Sequence, residues 1–388
     1  MKEIYLDNSA TTALSPAVRE KMISVMENYG NPSSLHAAGV RAEAVVREAR
    51  EAVALSLGVR APKPGQIIFC ASGSEADNLA IFGSVYAKPR GRGGKIITTD
   101  SEHPAVENCM KRLEKDGFCV ARIPTRGGVL DMERLRAELT GNTLLVSLMA
   151  VNNETGAAYD LKTAFSMVRE LCPAAVTHTD AVQGYFKLRM TPASVGADLM
   201  TVSAHKIHGP KGVGALYVDP AILKRRALIP VIEGGGQEEG LRSGTENVIG
   251  IAGFGQAAKD GYGHLAANLS HLRGLREETV KRLSLMGLHI NEPAGTVAPH
   301  IVSVTLPAVK SETMLHYLSA KGIYVSSGSA CSSHSHRVSR VLTAFGLNDF
   351  DADCTLRISF SEYNTGEDVD ALCAALDAGL SELVRIRN

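Results

Sequence analysis

Short apolar runs alternate with longer amphipathic stretches through residues 67–218 of the chain. The runs are four to seven residues long and rich in Ile, Val and Leu, which is typical of strands buried on both faces. Because helical patterns separate most of them, they predict an α/β fold with a mainly parallel seven-stranded sheet covered by helices. The predicted strands are 67–70, 95–99, 119–123, 144–150, 175–179, 199–203 and 215–218, and the predicted helices are 75–87, 105–116, 131–139 and 161–171.

The pattern changes after the glycine-rich segment 234–236. A long helical pattern over 248–285 is followed at 300–306 by an alternation that predicts a half-exposed strand. The elements predicted after it are helix 312–321, strand 323–326, helix 337–345, strand 357–360 and a last helix capped by Thr365. A chain of 388 residues is long enough for about two domains. We predict a large domain at 15–260 and a smaller α+β domain formed by 1–14 and 261–388.

The amino-acid composition of the chain excludes several classes of function. Hydrophobic residues make up 45% and charged residues 21% of the chain, as in ordinary soluble globular proteins. The 41 basic and 41 acidic residues cancel, so neither a nucleic acid nor an anionic membrane is expected as a partner. No apolar run has membrane-spanning length, and the first five residues lack the basic-then-apolar pattern of a signal peptide. The expected location is the cytoplasm.

The cysteines are scattered, odd in number and without a C-x-x-C pair. They stand at positions 70, 109, 119, 172, 331, 354 and 373. This pattern argues against a disulfide framework and against a cysteine-rich zinc site. Most of them are expected to be buried thiols that act as small hydrophobic residues. We predict no metal site.

The segment 203–214 lies between two predicted strands and fits neither a helix nor a strand pattern. It places Lys206 among small, polar and glycine residues, with Ser203 and His205 beside it. A deprotonated lysine amine can condense with a carbonyl compound, and the two neighbouring side chains can donate hydrogen bonds to a phosphate. We therefore predict that Lys206 holds pyridoxal 5′-phosphate. The alternative is a basic surface hairpin in which Lys206 and Lys211 are solvated.

A turn at Gly73 and Ser74 joins a predicted strand to a predicted helix. Such a helix start presents free backbone N–H groups and a positive dipole end to an anion. Next to Ser203 and His205 it would form a phosphate cup, at the strand ends where ligands gather in α/β sheets. The alternative is an ordinary helix N-cap at Ser72 or Ser74.

Further polar residues follow other strands of the predicted sheet. Asp180 could pair with a pyridinium nitrogen and keep it protonated, so that the ring acts as an electron sink. Gln183 lies one helical turn later and could donate to the phenolic oxygen of the ring. His103 could stack on the ring or move protons near neutral pH. The alternatives are a helix N-cap for Asp180 and a structural histidine for His103. Asn153 follows its strand at the equivalent level.

Cys331 lies in the segment 326–336, which has no periodicity and is rich in small polar residues. This composition predicts a mobile loop. The surroundings are not apolar, so a nucleophilic thiol near histidines is favoured over a buried inert one. Cys331, His334 and His336 also resemble part of a metal site, but a closed zinc site needs a fourth ligand and a structured frame.

Together these residues resemble the cysteine desulfurase family, the NifS/IscS-like branch of the fold-type I, class V pyridoxal phosphate enzymes. The resemblance runs almost from end to end of the chain, and the motifs occur in the family's order. Its most specific parts are the lysine segment, the glycine-rich segment with the motif after it, and the cysteine motif. The segments that carry it are 5–12, 30–34, 75–78, 102–106, 152–154, 180–183, 203–214, 234–238, 242–247 and 327–331.

The resemblance implies a role for each cofactor-site residue. Lys206 would attach pyridoxal phosphate and then move protons at Cα and C4′. Asp180 would pair with the pyridinium nitrogen, Gln183 with the ring oxygen, and His103 would stack on the ring. The residues implied to bind the phosphate are Gly73, Ser74, Ser203 and His205, joined by Thr245 from the second subunit of a homodimer.

The resemblance also implies the substrate and the reaction. Asn153, which also lies at the cofactor, and Arg357 would hold the carboxylate of L-cysteine. Cys331 would attack the substrate sulfur, so that alanine leaves and a persulfide remains on the enzyme. A loop could carry this persulfide from the buried ring to a sulfur-acceptor protein, such as an iron–sulfur cluster scaffold.

Some residues depart from the family pattern. Ser72 stands where the family usually has glycine, and Glu239 replaces a usual basic residue. The motif 153–156 is not followed by the usual Gln-Pro. These departures leave the cofactor site intact and the identity of the sulfur acceptor open.

Other readings of the same scaffold are a selenocysteine lyase, an aminotransferase, or a catalytically silent sulfur-transfer scaffold. Cys331 argues against a plain aminotransferase, which needs no thiol. A silent scaffold would not need the complete set of Lys206, Asp180, His103 and Cys331.

Overall fold

The computed structural model describes residues 3–88, 93–307, 309–328 and 339–383. In these ranges the helices are α1 (Pro16–Val25), α2 (Ala37–Ser56), α3 (Gly73–Tyr86), α4 (Pro104–Lys115), α5 (Met132–Glu138), α6 (Leu161–Leu171), α7 (Pro192–Val195), α8 (Pro220–Lys224), α9 (Val248–Leu285), α10 (Ser311–Ala320), α11 (Arg340–Phe345), α12 (Asp349–Asp353) and α13 (Gly366–Glu382). The strands are β1 (Ile4–Tyr5), β2 (Ile67–Cys70), β3 (Lys95–Thr99), β4 (Cys119–Ile123), β5 (Thr143–Ser147), β6 (Ala157–Ala158), β7 (Val176–Asp180), β8 (Leu199–Ser203), β9 (Gly214–Val218), β10 (His289–Ile290), β11 (Thr296–Val297), β12 (Ile301–Thr305), β13 (Ile323–Tyr324) and β14 (Thr355–Ser359). Short 3-10 turns lie at Arg126–Gly128, Ala204–Lys206 and Glu238–Gly240.

Seven strands form the central sheet in the order β2–β9–β8–β7–β5–β3–β4. β9 runs antiparallel to both of its neighbours, and the other neighbouring strands are parallel. Alternate residues of a strand enter different buried clusters: Ile67 and Phe69 belong to one, and Ile68 and Cys70 to the other. Both faces of the sheet are therefore covered, and the predicted seven-stranded, mainly parallel sheet is confirmed.

Strand register brings two of the predicted site segments together. Ser203 lies opposite Gly214, and Gly214 lies opposite Cys70. Because β9 is antiparallel to both neighbours, β2 and β8 point the same way and end at one edge of the sheet. Gly214 has no room for a side chain, since a Cβ would lie 2.6 Å from the carbonyl carbon of Ser72. This close approach sets the start of α3 beside the turn that carries Lys206.

The C-terminal part builds a second, smaller sheet in the antiparallel order β10–β12–β14. The N-terminal strand β1 pairs in parallel with β13, Ile4 lying opposite Ile323. The N-terminal strand therefore pairs with a strand of the C-terminal part of the chain.

The prediction of a half-exposed strand at 300–306 is wrong. All five residues of β12 are buried. The polar residues that produced the alternation, Ser303 and Thr305, have a buried partner: Nδ2 of Asn291 donates to their hydroxyl oxygens at 3.1 and 3.0 Å. A side chain that is buried and hydrogen-bonded gives the same sequence pattern as one that faces water.

The buried side chains support the predicted division into domains, which we propose as 15–260 against 1–14 with 261–388. The two clusters beside the central sheet draw on residues from 18 to 258 and on Ala298. The third cluster contains Leu6 and residues from 272 to 376. α9, which is 38 residues long, crosses the proposed boundary. In the parts of the chain that the structure describes, neither α9 nor any other helix is long and apolar enough to cross a membrane.

Candidate active site

A cavity of about 240 Å³ lies at the carboxyl ends of the central strands. It collects nearly all of the site residues that the sequence predicted. Those that line it are Gly73, Ser74, His103, Asn153, Asp180, Gln183, Ser203, His205, Lys206 and Arg357. They come from segments that are far apart in the chain. The common direction of the central strands places them at one edge, except for Arg357, which lies in β14 of the smaller sheet.

Lys206 ends a single 3-10 turn directly after β8. Its Nζ donates to the backbone carbonyls of Ser9 and Ala10 at 2.5 and 2.9 Å, and all three residues line the cavity. Lys211, by contrast, is exposed. The segment is therefore not a hairpin with both lysines in solvent, and its amine faces a space in which a carbonyl compound could react.

The start of α3 forms one wall of the cavity. A Cβ at Gly73 would lie 2.9 Å from Cγ2 of Val182 and 3.5 Å from Cβ of Ser203, so only glycine leaves this corner open. Ser72 is the N-cap, its Oγ accepting from the backbone N–H of Glu75. The helix cap and the anion-binding turn are thus compatible. Ser72, which stands where the family usually has glycine, therefore contributes the side chain that caps the helix.

Ser203 and His205 face this helix start. Ser203 Oγ is buried and has no hydrogen-bond partner among the described residues. Burial, together with the positive charges of Lys206 and Lys211, lowers the pKa of His205 to about 4. His205 is therefore neutral at pH 7, with Nδ1 at 3.1 Å from Thr11 Oγ1. An unpaired hydroxyl beside free helix N–H groups suits an anion that accepts hydrogen bonds.

Asp180 ends β7 inside the cavity. Its Oδ1 accepts a hydrogen bond from the backbone N–H of Val182 at 2.9 Å. Burial raises the pKa of Asp180, and the positive charges of His103 and Lys206 oppose that rise. A cationic ring nitrogen in the cavity would oppose it further, so this site favours a ligand that carries positive charge next to Asp180.

Asp77 is a second buried carboxyl in the wall of the cavity, and it was not among the predicted site residues. Burial raises its pKa well above the usual range, and the negative charge of Asp180 raises it further. Two neighbouring buried carboxyl groups do not both ionise readily. Asp77 is thus expected to keep its proton and leave the charge to Asp180.

His103 has the structural role that was the alternative to a place at the cofactor ring. It is the N-cap of α4, where its Nδ1 accepts from the backbone N–H of Ala105 at 3.2 Å. Burial lowers the pKa of His103, although the charge of Asp180 opposes this. The cap fixes the ring at the edge of the cavity. His103 is therefore a structural histidine at a helix start, and this place is compatible with stacking on the ring of a bound cofactor.

Arg357 and Asn153 lie together on another side of the cavity. Arg357 donates through Nη1 to the backbone carbonyl of Asn153 at 3.0 Å and through Nη2 to Oδ1 of Asp7 at 2.8 Å. Its Nε and the Oδ1 of Asn153 are buried without a hydrogen-bond partner in the described chain. A guanidinium held in place with a donor still available fits a carboxylate. Asp7 was not predicted as a site residue.

Gln183 is held from two sides. Its Nε2 donates to the backbone carbonyl of Ser9 at 2.8 Å, and its Oε1 lies 3.1 Å from Nε2 of His300. Ser9 belongs to the motif 5–12, which could have pointed to it. No sequence pattern indicated His300.

Two predicted residues are not brought into the cavity of this chain. Thr245 is exposed and does not line it. Cys331, with His334 and His336, lies outside the described residues. Before residues 329–338 the chain is held near the cavity, because Ser326 and Arg357 exchange backbone hydrogen bonds at 3.1 and 2.7 Å. After these residues, Ser339 Oγ donates to Oε2 of the buried Glu154 at 2.6 Å.

The residues present fit pyridoxal phosphate. The cavity offers an amine at Lys206 for an aldehyde and a carboxyl at Asp180 for a ring nitrogen. It also offers the open corner at Gly73 and the unpaired hydroxyl of Ser203 for a phosphate. The unpaired Nε of Arg357 remains for an amino-acid carboxylate.

Comparison with known proteins agrees with this geometry. The family model described as Aminotransferase class-V matches residues 4–372. A curated "Cysteine desulfurase" of Trichormus azollae is 39% identical over 374 residues, which cover 95% of this chain and 91% of the relative. "Cysteine desulfurase IscS" of Escherichia coli (strain K12 / DH10B) is 38% identical over 380 residues, covering 95% and 90%. A solved structure titled "NIFS-LIKE PROTEIN" superposes with a TM-score of 0.91 at 36% identity, covering 98% of this chain and 100% of its own.

Proposed function

The chain belongs to the aminotransferase class-V family and is a pyridoxal phosphate-dependent cysteine desulfurase, and we propose how its residues share the reaction. L-Cysteine becomes L-alanine, and its sulfur passes to Cys331 as a persulfide. One observation supports this assignment above all. A single cavity brings together an amine, a buried carboxyl, a buried guanidinium and a glycine-lined helix start, at Lys206, Asp180, Arg357 and Gly73.

The cofactor would be held by residues around the whole cavity. Lys206 attaches it through Nζ, Asp180 holds a proton at the ring nitrogen, and Gln183 donates to the ring oxygen. His103 stacks on the ring. The phosphate-binding set is Gly73, Ser74, Ser203 and His205, with Asn153 close to the ring. When bound, pyridoxal phosphate supplies an electron sink for the negative charge that develops at the substrate Cα.

The substrate is oriented by Arg357 and Asn153. Nε of Arg357 has no hydrogen-bond partner among the described residues, so it is available to bind the α-carboxylate of L-cysteine. Lys206 then removes the proton from Cα and, later in the reaction, returns protons to carbon. Because Asp7 and the backbone of Asn153 hold the guanidinium, little entropy is lost when the carboxylate binds.

Cys331 supplies the nucleophile. Its thiolate attacks the sulfur of the bound substrate, a sulfur–sulfur bond forms, and the carbon–sulfur bond breaks with its electron pair remaining on carbon. A proton added at Cβ, together with the proton that Lys206 returns to Cα, then gives alanine. A thiolate suits this step because it is a strong nucleophile toward sulfur.

The persulfide is next delivered to a sulfur-acceptor protein. We place an iron–sulfur cluster scaffold first among the candidates, because a relative over 95% of this chain is named IscS. A thiol reductant replaces the acceptor in the test tube, since it attacks the outer persulfide sulfur and releases sulfide.

The test of the function is a product balance. We expect the purified protein to be yellow and to release sulfide and alanine in equal amounts from L-cysteine in the presence of a thiol reductant. L-Selenocysteine, assayed in parallel, tests the lyase alternative, and pyruvate as amino acceptor tests the aminotransferase alternative. Alanine without sulfide, or a colourless protein that gains no activity when pyridoxal phosphate is added, would contradict the proposal.

We also propose that the enzyme is a homodimer. Large apolar side chains of the segment 23–40 are exposed: Ile23 by 58%, Tyr29 by 88% and Leu35 by 98%. Such a concentration of exposed apolar residues is typical of a protein–protein contact. Thr245, exposed in one chain, would donate to the phosphate in the cavity of the partner.

Hybrid dimers test whether Thr245 acts across the interface. We expect Thr245→Val to weaken pyridoxal phosphate binding by about tenfold, because a hydrogen bond to a charged phosphate is lost. In a hybrid of a Lys206→Ala chain with a Thr245→Val chain, one cavity keeps both Lys206 and Thr245 only if Thr245 acts on the partner. Cofactor titration of the hybrid should then show half of the sites with wild-type affinity. If all the sites that retain Lys206 bind weakly, Thr245 acts within its own chain.

A further inference from the structure

We propose that His300 is a positioning residue that fixes the orientation of the Gln183 side-chain amide toward the cofactor. The inference rests on the proposed function, because it concerns how the protein presents a donor to the ring oxygen of pyridoxal phosphate. His300 Nε2 lies 3.1 Å from Gln183 Oε1, and both residues are buried. They are separated by 117 positions in the sequence, so the contact exists only in the folded chain.

The hydrogen-bond partners determine which way the amide faces. The backbone carbonyl of Ser9 can only accept, so the group of Gln183 that faces it at 2.8 Å is the NH₂ group. The carbonyl oxygen of Gln183 must therefore face His300. That oxygen can only accept as well, so Nε2 of His300 carries the hydrogen.

The surroundings of His300 agree with this tautomer. His300 is 1% exposed, and its Nδ1 is buried without a hydrogen-bond partner in the described parts of the chain. A neutral imidazole that is protonated at Nε2 has a lone pair and no hydrogen at Nδ1, which agrees with an Nδ1 that has no partner. Burial lowers the pKa of His300 well below its usual range, the charges of Lys187, Arg357 and Lys206 lower it further, and Glu362 opposes them. The ring is thus neutral and remains a one-proton donor.

The arrangement leaves Gln183 with one further amide hydrogen. One N–H is used by Ser9, and Gln183 lines the cavity in which we place the cofactor. If the amide rotated by half a turn, it would bring its oxygen to the carbonyl of Ser9, where two acceptors would repel each other. His300 and Ser9 together exclude that orientation, so the remaining N–H is kept as a donor.

His300 also links this donor to the substrate side of the site. Its backbone carbonyl accepts from the N–H of Phe360 at 2.8 Å, directly before β12. In the same pair of strands Ser303 lies opposite Arg357. The ring that orients Gln183 therefore lies directly before β12, and the guanidinium proposed to bind the substrate lies on the neighbouring strand β14.

Four variants test the proposal: His300→Leu, which removes the donor, His300→Gln, whose amide nitrogen can take the place of Nε2, Gln183→Leu, and the double variant His300→Leu with Gln183→Leu. The readouts are the dissociation constant for pyridoxal phosphate, from fluorescence titration, and the absorbance of the bound cofactor as a function of pH. Thermal unfolding of each protein monitors folding.

We expect His300→Leu to weaken cofactor binding about fivefold to tenfold, because the donor to the ring oxygen loses its fixed orientation. The pH midpoint of the absorbance change should move in the same direction as in Gln183→Leu. His300→Gln should restore both quantities, and the double variant should match Gln183→Leu alone, since a residue that acts through another adds nothing once that one is gone.

Two results would overturn the proposal: an unchanged affinity and midpoint in His300→Leu, or an equal loss from His300→Leu with and without Gln183. If His300→Leu does not fold, His300→Asn replaces it, since the Asn amide nitrogen takes the Nδ1 position and cannot reach Gln183. Full recovery in His300→Asn as in His300→Gln would also contradict a role of Nε2. A wild-type protein that binds no pyridoxal phosphate would instead overturn the proposed function.

Discussion

Replacing Lys206 with alanine is expected to lower the release of sulfide from L-cysteine at least about a thousandfold, the scale on which general acid–base residues contribute. The variant loses both the amine proposed to attach the cofactor and the base proposed to take the proton from Cα. Among the described residues, Lys206 is the only lysine that lines the cavity. The measurement is sulfide release in single-turnover and steady-state assays with a thiol reductant.

Lys211→Ala is the matched control for this experiment, because Lys211 lies in the same segment and is exposed. It should retain the wild-type rate. Gly73 and Ser203, which we propose to bind the phosphate, are intact in Lys206→Ala, so the variant should still bind pyridoxal phosphate, without the covalent attachment. Small primary amines added to the solution should restore part of the proton transfer. A Lys206→Ala variant that keeps a tenth or more of the wild-type rate would show that another group is the base.

The central sheet and the polar residues at the carboxyl ends of its strands could be predicted because both leave short, local patterns in the sequence. Apolar runs fix the strands, and polar residues that follow them mark the edge where a ligand can bind. Asp180, His103 and Lys206 were found in this way, and all three line the cavity. Ser203 lies opposite Gly214, and Gly214 lies opposite Cys70, and this register brings the turn at Gly73 to these three residues. The sequence alone could suggest this proximity only because a phosphate needs several donors around it.

Contacts between distant segments could not be predicted in the same way. The carbonyls of Ser9 and Ala10 approach Lys206 across nearly 200 residues, and a backbone carbonyl has no sequence signature. The pair of His300 and Gln183 depends on how the smaller sheet packs against the cavity. The error at 300–306 has a related cause, since Asn291, which directly follows β10, donates hydrogen bonds to the buried Ser303 and Thr305. Only tertiary structure supplies such partners.

Asp77 shows how the fold adds a property that no motif carries. Its place in α3 puts a second carboxyl near Asp180, and burial keeps the proton on Asp77. The proposed ion pair between Asp180 and the ring nitrogen therefore forms next to a neutral neighbour. This arrangement concentrates the negative charge where the cofactor needs it.

Cys331→Ser is the second variant for which we expect a very large effect, and its signature differs from that of Lys206→Ala. Sulfide release should fall at least about a thousandfold, as happens when a catalytic nucleophile is removed. The protein should nevertheless remain yellow, because none of the residues proposed to hold the cofactor is changed. A serine hydroxyl is a far weaker nucleophile toward sulfur than a thiolate, so the carbon–sulfur bond of bound cysteine stays intact. Mass spectrometry should find no added sulfur atom on the variant after exposure to L-cysteine.

Cys119→Ser is the matched control, because Cys119 is exposed in β4, the edge strand of the central sheet, and does not line the cavity. It should retain wild-type turnover and still gain one sulfur atom per active site when L-cysteine is added. Digestion of the wild-type protein should place that sulfur on the peptide that contains Cys331. If Cys331→Ser desulfurated cysteine at the wild-type rate, the nucleophile would be a different thiol or the reductant itself. The cofactor chemistry at Lys206 would be unaffected by that outcome, since it does not depend on which group accepts the sulfur.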